Sequence, residues 1–236
     1  MPRVILFMFM LILAVEPVAS ADVAPSAYPA LDIYLVTDEA PTSDGRESQA
    51  TLRLKSIMAK VPELAYQIHY VSWPRAIRQV DMRHNALVFQ MLRTPKREAR
   101  YHWLVADQQV PVTLVALVKN PKKDWPLARL IQDQNIRIAC LAATAYCEFL
   151  LQQGFVGSQI EQISLQEEDS VERVLIAGRV DFIVVAPSDL QRNMQRLQVT
   201  PSRYQASHQL IVMEDYLAGS LLLAPEVRQL FRQRFP

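Results

Sequence analysis

The sequence predicts an α/β fold in which strands and helices alternate, arranged as two successive units. Residues 31–104 read strand, helix, strand, helix, strand, and residues 112–197 repeat that rhythm. Within the first unit, Ala86-Leu87-Val88-Phe89 is an apolar run with no polar face, the pattern of a strand covered on both sides of a parallel sheet. A chain of 236 residues, half of them hydrophobic, can bury one large core or two small ones.

In the first unit, residues 22–30 are rich in Ala and Pro and form a loose lead-in. Residues 31–37 alternate as a strand. Asp44 and Glu47 have capping-box spacing ahead of a helix whose apolar stripe is Ala50, Leu54, Ile57, Met58 and Val61, ended by Pro62. Residues 66–71 alternate with period 2, a second strand. Ser72 can cap the next helix, with Pro74 in its first turn, where a missing N–H costs nothing. Trp73, Ala76, Ile77 and Val80 share one face of that helix, and His84-Asn85 can end it. After the strand at 86–89, the polar string 90–97 falls at its C-terminal end, where ligands bind in open α/β sheets.

Residues 107–110 are polar, end at Pro111 and mark a crossing between units. Strands are expected at 112–118, 136–140, 160–165 and 180–185. Thr144 can cap a helix to Gln153 that Gly154 closes, and Asp169 with Glu172 forms a second capping box. Pro187 opens a helix to about residue 197, residues 204–213 return as a strand, and a last helix starts near Pro225. No repeat of fixed period is present.

Composition excludes several classes. The net charge is +1 with no long run of one sign, which is not the basic stripe of a nucleic-acid binder. Five glycines provide no Gly-rich phosphate cradle. At the N-terminus, Arg3, the apolar run 4–15 and Ala19-Ser20-Ala21 have the order of a secretory signal peptide over residues 1–21. The run is well short of the roughly 20 residues a membrane span needs. The mature chain is therefore expected outside the cytoplasm. In an oxidising compartment Cys140 and Cys147 are a disulfide candidate, provided their Cα atoms come within about 7 Å; the other reading is two buried thiols in one core.

The stretch Trp73-Pro74-Arg75-Ala76, followed by Arg93-Thr94-Pro95-Lys96-Arg97-Glu98 and Tyr101-His102-Trp103-Leu104, resembles the bacterial extracellular solute-binding proteins of family 3. These are the periplasmic receptors that often serve polar amino acid ABC transporters. Gly178-Arg179-Val180-Asp181 and Tyr216-Leu217-Ala218-Gly219-Ser220 continue the likeness more weakly. The order of these short motifs is a stronger signal than any one of them. The resemblance implies a two-lobe, type II periplasmic-binding-protein-like fold, each lobe a sheet flanked by helices, with a ligand cleft between. Lobe 1 would be discontinuous, residues 22–107 and 204–236, and lobe 2 would be residues 108–203.

The resemblance also implies a site. Arg97 stands where the family grips a ligand carboxylate with a planar fork of donors; among Arg93, Lys96 and Arg100 it also reads as a solvated surface residue. Thr94 would give the ligand a hydroxyl or cap the turn toward Glu98. Gln90 and Leu92 are in register with positions that meet the ligand's amino group, and Leu92 is apolar where many relatives carry a hydroxyl. Ala143 and Thr144 match the small-residue turn that presents a helix N-terminus to the carboxylate, or form an ordinary cap. Asp181 reads as structural. Ala186 departs from the pattern, since amino-acid receptors place there an Asp that pairs with the ligand's ammonium. Asp189 would replace it only if the turn differs. Trp73, Trp103 and Trp125 are candidates for an aromatic wall, with Trp73 read as core.

Catalysis has little support in the sequence. No nucleophile elbow is present, the four histidines are scattered, and HExxH and CxxC metal spacings are absent. The expectation is a monomeric solute-binding protein with no cofactor and no metal. Its partners would be a small carboxylate-bearing or zwitterionic solute and an inner-membrane ABC transporter or sensor. A dehydratase-type periplasmic enzyme on the same scaffold and a degenerate relative that binds a protein partner are the alternatives.

Overall fold

A computed structural model of the chain describes residues 28–36, 39–164 and 170–236. The expected leader, Thr37, Leu165 and Asp169 of the second capping box lie outside them. Eight strands form one sheet in the order β2-β1-β3-β8-β4-β7-β5-β6. β1 (Leu31–Val36) pairs parallel with β2 (Tyr66–Val71) and β3 (Ala86–Leu92) at one end. At the other end β5 (Ile138–Leu141) pairs parallel with β6 (Ile160–Ile163) and β7 (Phe182–Val185). The middle is an antiparallel ribbon of two 17-residue strands, β4 (Tyr101–Leu117) and β8 (Tyr204–Ser220).

At about 3.3 Å per residue the ribbon is roughly 55 Å long, enough to run through both halves of the molecule. β3 joins it near Leu87↔Gly219, and β7 joins it at Thr113↔Val185, toward the opposite end. The cores divide in the same way. Leu31, Ile33, Leu54, Leu87, Phe89, Leu217 and Phe231 cluster in the first half, while Val112, Leu114, Ile138, Phe149 and Phe182 cluster in the second. Along β4, Val112, Leu114 and Ala116 pack into one cluster and Val115 and Leu117 into another, so the strand is covered on both faces.

Helices α1 (Gln49–Met58) and α2 (Trp73–Met82) belong to the first half. Helices α3 (Leu127–Gln132), α4 (Tyr146–Gln152), α5 (Ser170–Ile176) and α6 (Pro187–Arg196) follow, and α7 (Pro225–Arg234) returns to the first half. All five residues of the expected α1 stripe are buried.

Several local expectations are corrected. Ser48, not the Asp44/Glu47 pair, caps α1, accepting from the Thr51 amide at 3.1 Å; Asp44 holds Arg46, and Glu47 holds Lys55. The polar residues 107–110, read as a crossing between units, cross within a single strand, β4, and form no separate connection; the register shifts there between Ala106 and Gln109. Pairing with β8 on both sides of this irregularity outweighs the local polarity. β3 likewise continues to Leu92, past a bulge at which Gln90 takes φ +62°. Helix α3 was not anticipated, because six residues show too little periodicity. Ala145 rather than Thr144 precedes α4 as its N-cap.

Candidate functional site

A cavity of about 150 Å³ lies between the halves, where the ends of β3, β5 and β7 meet the middle of the ribbon. Gln90, Leu92, Arg97 and Thr144 line it, as do Trp73, Gln108, Tyr146, Glu172, Ala186, Asp189, Arg192 and Asp215. Thr94 and Ala143 do not. Thr94 is buried with its hydroxyl unpartnered among the described residues, and Glu98 is held by Arg93 instead, so the expected cap toward Glu98 is absent.

Arg97 is buried, not a solvated surface residue. Its guanidinium donates to the Leu92 carbonyl at 3.1 Å and to the Ala143 carbonyl, from the other half of the chain, at 3.2 Å. The Trp73 indole donates to the same Ala143 oxygen at 3.2 Å, and Arg97 lies 5.7 Å from the Trp73 ring centroid. Ala143 presents that oxygen from φ +62°, a left-handed conformation that costs an L-residue about 1–2 kcal/mol. The turn is tied down locally. The Thr144 hydroxyl donates to the Leu141 carbonyl at 2.6 Å, and a disulfide joins Cys140 on β5 to Cys147 on α4, with Cα atoms 5.4 Å apart. Burial lowers the Arg97 pKa, and the charge of Glu148 works the other way.

The second-half wall is ionic. Asp189, one turn into α6 from Ala186, accepts from Arg192 at 2.9 Å and from the Tyr146 hydroxyl at 3.4 Å. Arg192 also reaches across to Glu39 in the first half at 2.6 Å. Asp189 faces the cavity and keeps 35% of its side-chain surface, yet protein surrounds it at longer range. That burial pushes its carboxyl up despite Arg192. Burial also raises the Tyr146 hydroxyl, with Asp189 adding to it. On the same side, Glu172 accepts from Asn193 at 2.9 Å.

The floor is the ribbon. Asp215 on β8 is buried and takes the Gln108 amide at 3.1 Å and its side-chain nitrogen at 3.4 Å. Its pKa is pushed up to about 7, first by burial and then by Asp107 beside it; Asp107 is itself held by both oxygens to Arg53, at 2.9 and 3.1 Å. Asp181 plays the structural part expected of it, accepting the Arg137 amide at 2.9 Å and pairing with Lys122 at 3.2 Å. Trp103 and Trp125 lie away from the cavity, Trp103 beside Arg93 and Trp125 under Arg129, so of the three tryptophans Trp73 lines it, with Tyr146 as a further aromatic.

The sequence reading missed Tyr146, Glu172, Arg192, Gln108 and Asp215. A signal existed for one of them. Glu214-Asp215 is a pair of acids inside a strand between Ile211-Val212-Met213 and Tyr216-Leu217, so alternation must turn one of them inward, and a buried acid in a strand calls for a reason. Among the described residues no group of His, Cys, Asp and Glu is arranged to hold a metal ion, and no helix is long and apolar enough to cross a membrane.

No family model and no curated protein matches the sequence. Solved structures do match the fold. One is a histidine kinase sensor domain with similarity to periplasmic binding proteins, at TM-score 0.71 and 15% identity, covering 87% of this chain and 88% of that one. Another is the arginine-, lysine-, histidine-binding protein ArtJ from Geobacillus stearothermophilus, at TM-score 0.70 and 12% identity over 87% of each chain. A third is holo ArgBP from T. maritima, at TM-score 0.67 and 12% identity, covering 86% of this chain and 88% of that one. The chain therefore has the mixed α/β fold of the periplasmic binding proteins, two halves joined by a ribbon with a cavity between them.

Proposed function

We propose that the chain is a solute-binding receptor of the periplasm whose two lobes close on a small carboxylate-bearing solute. Lobe 1 comprises residues 22–107 and 204–236, lobe 2 residues 108–203, and residues 1–21 are the export signal. The observation that carries this reading is Arg97, a buried guanidinium in a cavity between the halves. A guanidinium has five N–H donors, and two of those on Arg97 go to carbonyls. The others are available to an oxyanion, beside the Trp73 indole and the 141–145 turn that Arg97 already holds.

Gln90, Leu92 and Thr144 complete the contact surface; Thr94 and Ala143 support it from behind. The cavity binds and performs no reaction in this reading, with no cofactor. The solute is handed to an inner-membrane transporter or reported to a sensor, as the names of the structural neighbours suggest. Mass spectrometry of small molecules released from protein purified from the periplasm should identify one solute at near-equal amount. Returning that solute to stripped protein should stabilise it by about 2.7 kcal/mol at a hundred times its Kd. Protein that carries nothing, and that no member of a carboxylate panel stabilises, ends the proposal.

A further inference from the structure

A second cavity, of about 250 Å³, lies on the first half between β4 and α7 and shares no lining residue with the first. Its floor is apolar, Phe231 and Leu104, and its walls are Arg93, His102, Arg228 and Arg232 with Tyr101 and Trp103. No carboxylate lines it. Arg93 is neutralised by Glu98, which it holds through two bonds of 2.8 and 2.5 Å. Arg228 and Arg232 are different. They stand at i and i+4 on α7, a spacing at which like charges repel. Among the described residues neither has an acidic partner, and the Nε of Arg228 is buried with no hydrogen-bond partner at all. Other arginines nearby are matched, Arg100 by Asp81 at 3.0 Å and Arg234 by Glu63 at 2.8 Å.

His102, whose ring nitrogen sits 3.3 Å from the Leu221 carbonyl, feels both cations: burial first, and then Arg228, lower its pKa. Beside it, Leu221 and Leu222 are more than half exposed on the turn after β8. Two unmatched guanidiniums over an apolar floor fit an oxyanion that carries an apolar body.

We propose that the groove between β4 and α7 is a second binding site, separate from the interlobe cavity, for a phosphate group. A soluble phosphate and an anionic phospholipid headgroup present the same chemistry to Arg228 and Arg232. The proposal does not depend on what the interlobe cavity binds.

The test uses the mature chain, Arg228→Gln/Arg232→Gln, and Arg97→Ala, at about 0.15 M ionic strength so that surface charge is screened. Calorimetry with inorganic phosphate, and NMR of the Trp103 indole N–H, are expected to show binding to wild type and to Arg97→Ala. The double variant should bind at least about tenfold more weakly, the effect of losing one charge-assisted hydrogen bond. It should unfold no earlier than wild type, since it removes a like-charge pair. Flotation with phosphatidylglycerol-containing vesicles against pure phosphatidylcholine separates the sources. Anionic-vesicle binding that the double variant loses assigns a lipid headgroup, and phosphate binding without vesicle binding assigns a soluble phosphate. The proposal is overturned if neither probe binds, if the double variant binds as wild type does, or if Arg97→Ala alone abolishes phosphate binding.

Discussion

Arg97 and Ala143, 46 residues apart in sequence, meet beside the cavity through a 3.2 Å hydrogen bond that joins the two halves. The same guanidinium is the proposed carboxylate clamp, so one residue would govern both closure and affinity. Arg97→Ala is expected to cost roughly 2–5 kcal/mol of solute binding, because the solute's charge stays buried and unpaired. It should also unfold about 1–3 kcal/mol more easily, since the Leu92 carbonyl loses the Arg97 donor and the Ala143 carbonyl is left with the Trp73 indole. Arg97→Lys should restore only part of the affinity, an ammonium lacking the planar fork. Arg93→Ala and Arg100→Ala are the controls, their charges being held by Glu98 and Asp81. Calorimetry at two salt concentrations decides: small, equal, salt-sensitive losses in all three remove Arg97 from the site.

Asp215 makes stability depend on pH. Its folded pKa of about 7 exceeds the roughly 3.9 of an unfolded Asp, so the native state holds the proton more tightly. The contribution is fully present below pH ~4 and is lost as pH rises through about 7. Urea midpoints should therefore fall across that window and level off above it. Asp215→Asn, which keeps an acceptor for the Gln108 amide, should flatten the slope. An unchanged slope in that variant assigns the pH dependence elsewhere.

The sequence made the alternation of elements legible because it rests on local signals: the α1 stripe, the all-apolar start of β3, and Pro187 opening α6. It could not show that β4 and β8 are single long strands. Residues 107–110 read only as a polar crossing until β8 pairs with them, and pairing between residues more than a hundred positions apart leaves no local trace. The cavity was half legible for the same reason. Arg97 and Thr144 follow a short motif, whereas Glu39 and Arg192, which meet across 153 positions, follow none. Asp189 faces the cavity because α6 starts at Pro187, which puts it in the first helical turn beyond Ala186.

The Cys140–Cys147 bond closes a short loop over the turn that presents the Ala143 carbonyl. In the chain-entropy model, losing a loop of this length costs roughly 2–3 kcal/mol. Cys140→Ser/Cys147→Ser should show that loss in urea unfolding. Because the same bond holds the turn, it should also bind solute more weakly. Thiol titration of denatured, unreduced wild type is expected to find none; two free thiols per chain end the idea.

The last prediction concerns which solutes the cavity refuses. Ala186 lines the cavity at the position where the resemblance implies an acid for the ammonium of an amino acid, and Asp189, in the first turn of α6, is already bound to Arg192 at 2.9 Å. An incoming α-ammonium would meet a carboxylate whose charge is matched, with a guanidinium next to it. Ordinary polar amino acids should therefore bind weakly, and carboxylates without an α-ammonium should compete for Arg97. Arg192→Met removes that guanidinium and should convert Asp189 into an ammonium partner. Amino-acid affinity should then rise by about tenfold or more, within the range that close charge pairs contribute. The substitution also strands Glu39, a buried carboxylate whose lost partner costs about 3–5 kcal/mol. Glu39→Gln/Arg192→Met avoids that penalty and keeps the gain readable in a folded protein. Calorimetry with glutamine, glutamate, histidine and their deaminated counterparts makes the comparison. Submicromolar binding of any of the three amino acids to wild type overturns the prediction, as does a double variant whose preference between each pair is unchanged.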